Sequence, residues 1–234
     1  MKSELTGFDT VERDTLQERI YRQIHHKLLT GQLLPGQQLS INALVSALGA
    51  SAMPVREALR RLEAERLLVI GSNRSLTVPR LDPDQVKELR DMRHAIEGLA
   101  TERAVPNISA ADLASLTELC GDMDAAIVAN DPLRYLDINW RFHLLIYQAS
   151  HMPLMCSIIQ QLMARAAPYV RLGLNDNKEH MTRAMRCHYA ALEALRRGNG
   201  AAARHAIEQD ILGATEDFLK LGTDDAKAGQ GGAR

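Results

Sequence analysis

Aromatic side chains are scarce in this chain, 4 % of 234 residues, and it holds only three cysteines and one tryptophan. Few aromatics beside abundant Ala and Leu, in a sequence that is 46 % hydrophobic, point to helices rather than sheets. Cys120, Cys156 and Cys187 are odd in number and widely spaced, which argues against a disulfide framework and fits unpaired thiols in a reducing cytoplasm. No apolar run approaches the length needed to cross a bilayer. The polar, charged N-terminus lacks the apolar stretch of a signal peptide. A cytoplasmic chain without a membrane partner is expected.

A large excess of either charge is missing too, since the formal net charge is −1. The balance is uneven along the chain, however. Residues 1–80 hold 11 Lys and Arg against 8 Asp and Glu, and the rest hold 17 against 21. A basic first third beside an acidic remainder fits a nucleic-acid module joined to a second unit.

What the sequence does have is concentrated at residues 51–62. Ser51 sits at a helix N-cap and Pro54 in the first turn, where a missing amide costs little. Val55, Leu59 and Leu62 then fall on one face and Arg56 and Arg60 on the other. Upstream, Leu16, Ile20, Ile24 and Leu28 mark a first helix over 15–30, and a short second helix runs from Ser40 to the stop at Gly49. Three helices with these turns make a helix-turn-helix. Two short strands follow, Leu67–Ile70 and Leu76–Pro79, around a tip at 71–75, and read as a wing.

The DNA-binding residues expected from this pattern are Asn42, Ser51, Met53, Pro54, Arg56, Arg60, Asn73 and Arg74. Arg56 is the best placed to read guanine, because a guanidinium can bond O6 and N7 together. Backbone amides at the start of the third helix, with Ser51, would hold a phosphate.

The run Gly31-Gln32-Leu33-Leu34-Pro35-Gly36-Gln37-Gln38-Leu39-Ser40, then Leu48-Gly49, then Met53 to Leu62, resembles the N-terminal domain of GntR-family bacterial transcription regulators. The resemblance spans about residues 12–80 and implies a winged helix-turn-helix that binds a short palindromic operator as a dimer. Ala52 replaces an arginine common in the family, Met53 a threonine or serine, and Ser75 a wing-tip glycine. Operator sequence therefore does not transfer from relatives, whereas DNA binding does.

From 82 onward the pattern is helical, over about 83–104, 110–129, 132–149, 153–170, 177–197 and 200–221. The expected fold is thus mainly α. A DNA-binding domain of three helices and a two-stranded wing occupies 10–80, an all-helical effector and dimerisation bundle 81–221, and a disordered tail 222–234. Polar residues interrupt apolar stripes at Asn139, His143, His188 and Asp210. Neighbours on the stripe drive each inward, where it needs a partner. Two imidazoles, a carboxylate and an amide on three helices could form one divalent-metal site. Taken alone, each is more often a hydrogen-bonded core residue, and spacing does not show that they meet.

Arg93-His94-Ala95-Ile96-Glu97, Arg141-Phe142-His143 and the stretch from His188 to Leu195 resemble the FadR-type C-terminal effector domain, FCD, over about residues 87–215. That resemblance implies a bundle holding zinc, nickel or a similar ion through an Asp or Asn and three histidines. By motif, the ligands are Asn139, His143 and His188, with Asp210 where the family has its last histidine. The more oxygen-rich set shifts the site away from soft-metal preference. Cys187 is a poor substitute, since adjacent helix residues point about 100° apart.

A small anionic effector, a carboxylate, would complete the coordination while an arginine neutralises it. Arg93 is the first choice for that arginine, with an intrahelical pair to Glu97 as the equal alternative. Tyr169 and Arg171 are candidates for the pocket rim, with capping of a helix end as the equal alternative. The combined expectation is a ligand-responsive, homodimeric repressor of double-stranded DNA operators, and not an enzyme. The rivals are a constitutive DNA-binding protein with a purely structural helical half and a metal-dependent hydrolase. The second lacks a helix-borne HExxH or a nucleophile elbow.

Overall fold

The computed structural model describes residues 15–71, 75–174 and 178–230, with 221–230 as backbone. Helix α1 (Leu16–Leu29) begins where the Thr15 side chain accepts from the Glu18 amide. Helix α2 (Ile41–Leu48) starts at Ser40, whose hydroxyl accepts from the Ala43 amide, and ends at left-handed Gly49. Helix α3 (Ala52–Ala64) buries Val55, Ala58, Leu59 and Leu62 completely, and packs on Ile20, Ile24 and Leu28 of α1. Burial of that apolar stripe holds α3 and turns its arginines outward.

Beside the helices lies a small sheet of order β1-β3-β2, from Gln38–Leu39, Val69–Ile70 and Leu76–Thr77. The expected two-stranded wing is therefore three-stranded, with Gln38 paired to Thr77 and Leu39 to Leu76. A two-residue strand is too short to show alternation, and its pairing partner is distant in sequence.

The second unit is built of helices whose starts are set by caps. Helix α4 (Pro83–Ala104) opens with a capping box between Asp82 and Gln85, and α5 (Ala110–Ala129) with one between Ser109 and Asp112. A 3₁₀ turn, Val105–Asn107, joins the two. Then follow α6 (Pro132–Gln148), α7 (Pro153–Leu174), α8 (Lys178–Arg196) and α9 (Gly200–Gln230). Helix α9 lies along α4 and α8 and touches α7. At Gly173 a Cβ would come within 3.0 Å of the Phe218 backbone nitrogen, so glycine lets α7 and α9 approach.

Helix α7 runs four residues past the expected end at 170, because Tyr169 and Leu174 are buried and packing carries the helix through Pro168. Helix α9 extends to Gln230, into the stretch expected as a disordered tail. No proline interrupts 221–230, and its Asp, Lys and Ala residues tolerate a helix. The remaining tail residues, 231–234, lie outside the described residues, as do 1–9.

Contacts of α1 with α6 and α7 join the two units. The Tyr169 hydroxyl donates to the Pro79 carbonyl at 2.9 Å and accepts from the Leu81 amide at 2.6 Å. Arg165 Nη2 donates to the Glu65 carbonyl at 2.7 Å, at the end of α3. His26 Nε2 lies 3.2 Å from Asp137 Oδ1, bridging α1 and α6. Gly31, at φ +63°, brings the end of α1 against Arg171.

Candidate nucleic-acid interface and metal centre

Asn42 at the start of α2, and Ser51 and Met53 at the start of α3, are exposed together with Arg56 and Arg60 further along α3; Pro54 is half-buried. Ser51 occupies the N-cap position of α3 but makes no capping hydrogen bond with its side chain. The cap expected there is thus positional only, and its hydroxyl stays open at the positive end of the helix. Arg60 pairs with Glu57 at 2.8 Å, whereas Arg56 has no ion pair among the described residues. Arg61 is different again. It lies over the Tyr21 ring at 3.6 Å and bonds Glu18 at 2.6 Å and Glu65 at 3.1 Å, so it ties α3 to α1. Asn73 and Arg74, expected at the wing tip, lie outside the described residues.

In the helical unit three of the four expected ligands converge. His143 on α6, His188 on α8 and Asp210 on α9 bring ligand atoms within 4.8 Å of one another. The two Nε2 atoms are 3.3 Å apart, and Asp210 Oδ2 is 3.2 Å from that of His143 and 3.7 Å from that of His188. A tetrahedral ion with bonds near 2.0–2.1 Å has ligand–ligand edges of about 3.3 Å, which these spacings match.

Protons in the cluster support the same reading. Tyr147 donates its hydroxyl proton to Glu97 Oε2 at 2.7 Å. The 3.0 Å contact between His143 Nδ1 and the Tyr147 oxygen must then be donated by Nδ1–H. In the neutral ring that tautomer leaves the Nε2 lone pair facing a carboxylate and a second imidazole. Glu97 is held in turn by Arg93, whose Nε donates to Oε1 at 2.7 Å and Nη2 to Oε2 at 3.3 Å. A chain Arg93–Glu97–Tyr147–His143 thus orients one ligand from behind, as outer-shell groups do at metal sites.

Burial lowers the His188 imidazole to a pKa of about 4, with Asp210 opposing and His143 adding to the shift. Burial opposes ionisation of Asp210, but the two histidines and Arg93 outweigh it and hold the carboxyl low. His188 therefore presents a neutral imidazole and Asp210 a carboxylate, the forms that bind a cation.

Asn139, one turn before His143, is half-buried and lines a cavity of about 460 Å³ together with Asp210. Tyr135 lines it as well, and its buried hydroxyl has no hydrogen-bond partner among the described residues. Cys187 also faces this cavity without joining the cluster, its thiol pushed up to about 11 chiefly by burial. Arg183, ion-paired with Asp217, lies on the same wall.

The expected effector contacts need correction. Arg93 is buried and engaged by Glu97, so the intrahelical pair is what forms. Tyr169 does not rim the cavity, because both hydrogen bonds of its hydroxyl go to the linker backbone. Arg171 packs beside Gly31 where the two units meet. Tyr135, Tyr147 and Glu97 were not singled out as site residues in the sequence. Their signal was present for two of them, since Tyr147 follows His143, and Glu97 follows Arg93, by one helical turn. His25 and His26 sit at the joint, with His25 stacked on Tyr21 at 5.4 Å.

Comparison with known proteins bears on both regions. Residues 16–78 match "Bacterial regulatory proteins, gntR family", and residues 88–212 match the FCD domain. The transcriptional regulator McbR of Escherichia coli is 30 % identical over 210 residues, covering 88 % of this chain and 93 % of that protein. The structure of E. coli McbR/YncC superposes with a TM-score of 0.84 at 29 % identity, over 89 % of this chain and 99 % of that one. The transcriptional repressor RspR of E. coli is 24 % identical over 206 residues, 88 % of this chain and 90 % of that protein.

Proposed function

The chain belongs to the GntR family of bacterial regulatory proteins and carries an FCD domain, so it is a transcription regulator and not an enzyme; from that premise we propose that it is a homodimeric, effector-responsive repressor. The observation that carries the sensing half is the convergence of His143, His188 and Asp210 beside a cavity of about 460 Å³. We assign a divalent ion, zinc, nickel or one similar, to those three residues, with Asn139 as the fourth protein ligand. A bound ion supplies an electrophilic centre that takes an oxygen of a small carboxylate. The chain's own residues do the rest. Tyr147 and Glu97 fix the His143 ring, Asp210 balances charge, and the Tyr135 hydroxyl donates to ligand in the cavity.

On the DNA side, α3 enters the major groove with Arg56 toward base edges, while Asn42, Ser51, Met53, Pro54 and Arg60 line the approach. A dimer sets two such helices about 34 Å apart on a palindromic operator. Effector binding in the helical unit changes that spacing, which requires different effector affinity in the two arrangements. The repressor sense is favoured by the name of RspR. A regulator of this kind would act on DNA in the cytoplasm. Among the described residues no helix is long and apolar enough to cross a membrane.

Elemental analysis of protein purified without chelator or metal-affinity resin tests the reading, together with operator titrations. About one divalent ion per chain, lost in His143→Ala along with the effector response but not operator binding, is the expected result. Metal-free protein that still responds to a carboxylate would refute the metal assignment. A response surviving in His143→Ala would refute the site.

A further inference from the structure

Between the two units lies a second cavity of about 470 Å³ that shares no lining residue with the histidine cavity. Its apolar walls come from Val69 of β2, Val78 just past β3, Leu89 and Met92 of α4, and Pro168 of α7. Its charged groups are unbalanced. Arg66, Arg80 and Arg165 line it against Glu88 alone. Arg66 and Arg80 are exposed and have no ion pair among the described residues.

Arg165 is the informative member. One of its terminal nitrogens bonds the Glu65 carbonyl, yet its Nε is buried and has no acceptor among the described residues. A guanidinium with a buried N–H left without an acceptor is under-compensated, so a negative charge in the cavity beside it is stabilising. Burial first, and then the charge of Arg66, weaken proton binding at Arg165, which marks the neighbourhood as short of negative charge. A cavity of this size, mostly apolar with a few converging donors, has the make-up of a small-molecule site.

We propose that this joint is a second ligand site, for a compact apolar anion whose carboxylate or sulfonate pairs with the Arg165, Arg66 and Arg80 cations while its hydrocarbon body lies on Val69, Leu89 and Met92. The ligand touches the wing, the linker and α7 at once. It reports to the DNA-binding unit through Glu65 at the end of α3, independently of the histidine centre.

Calorimetric titration of the full-length protein with 2-naphthoate, and with 2-naphthylmethanol as its neutral counterpart, tests this. One naphthoate per chain is expected, bound at least about tenfold more tightly than the alcohol. Arg165→Gln weakens it by about tenfold or more. Because that change also removes the bond to Glu65, a second variant is needed. Arg66→Asn with Arg80→Gln alters only exposed side chains, and Asn tolerates the left-handed φ of +56° at position 66. It lowers affinity for naphthoate at unchanged melting temperature, and His143→Ala leaves affinity unaltered. The proposal is overturned if naphthoate does not bind. It is equally overturned if the alcohol binds as well, or if binding is lost in His143→Ala and kept in Arg165→Gln.

Discussion

On α3, Arg56 stands exposed with no ion pair among the described residues, whereas on α4 Arg93 is buried and gives its guanidinium to Glu97. The two arginines divide the molecule. On the outer face of α3 proposed to read DNA, the Arg56 donors are left without an ion pair among the described residues. In the helical unit the Arg93 and Tyr147 donors behind the cluster are committed, and the commitment orients a histidine rather than binding a ligand. An exposed arginine keeps its role if its surroundings drift, while a buried one depends on each member of its chain of bonds.

The contrast is broken most forcefully at Glu97. Replacing it with leucine leaves Arg93 buried without its partner, and such a loss destabilises by about 3–5 kcal/mol. Urea unfolding should show that drop together with weakened metal retention. A loss under about 1 kcal/mol would mean that Arg93 finds water and the relay is dispensable.

Acid provides the next test. His188 titrates at about 4 in the fold against 6.5 for the ordinary group. Between those values the unfolded chain binds more protons, so stability rises with pH across this window and falls on acidification. Metal-stripped protein taken from pH 6.5 to 4 should lose roughly 3 kcal/mol, and His188→Leu should flatten that slope. A midpoint indifferent to pH in the parent protein would contradict the burial of a neutral imidazole.

At the other pole, Arg56→Ala should cost roughly 1–3 kcal/mol at the operator and relax one base position. Its unfolding free energy should stay within about 0.5 kcal/mol of the parent. Undiminished base preference in a binding titration would remove Arg56 from the reading face. The smallest effect separates two serines at helix starts. Ser109 accepts from the Asp112 amide, so Ser109→Ala should cost about 1 kcal/mol of stability. Ser51 makes no such bond, so Ser51→Ala should leave stability unchanged and weaken DNA binding alone. Equal losses in the two variants would make Ser51 a cap after all.

Much of the helical frame could be read from the sequence because punctuation is local. Asp82-Pro83, Ser109, Asp131-Pro132 and Pro153 place four helix starts to the residue. What escaped was non-local. Strand β1 exists through its pairing with β3, and the α7 extension through burial of Tyr169 and Leu174. Apolar stripes identified His143, His188 and Asp210, but only folding brings α6, α8 and α9 together. Tyr169 and Arg171 were misplaced because a helix face does not say which neighbour it meets.

The grip of Tyr169 on the linker has a consequence for heredity. Its hydroxyl holds a carbonyl of Pro79 and an amide of Leu81, groups that nearly every residue type supplies. Substitutions in the connecting segment can therefore accumulate without unfastening it, with proline at position 81 the one replacement barred for lack of an N–H. Descendants of this chain are free to vary the strap while inheriting the buckle.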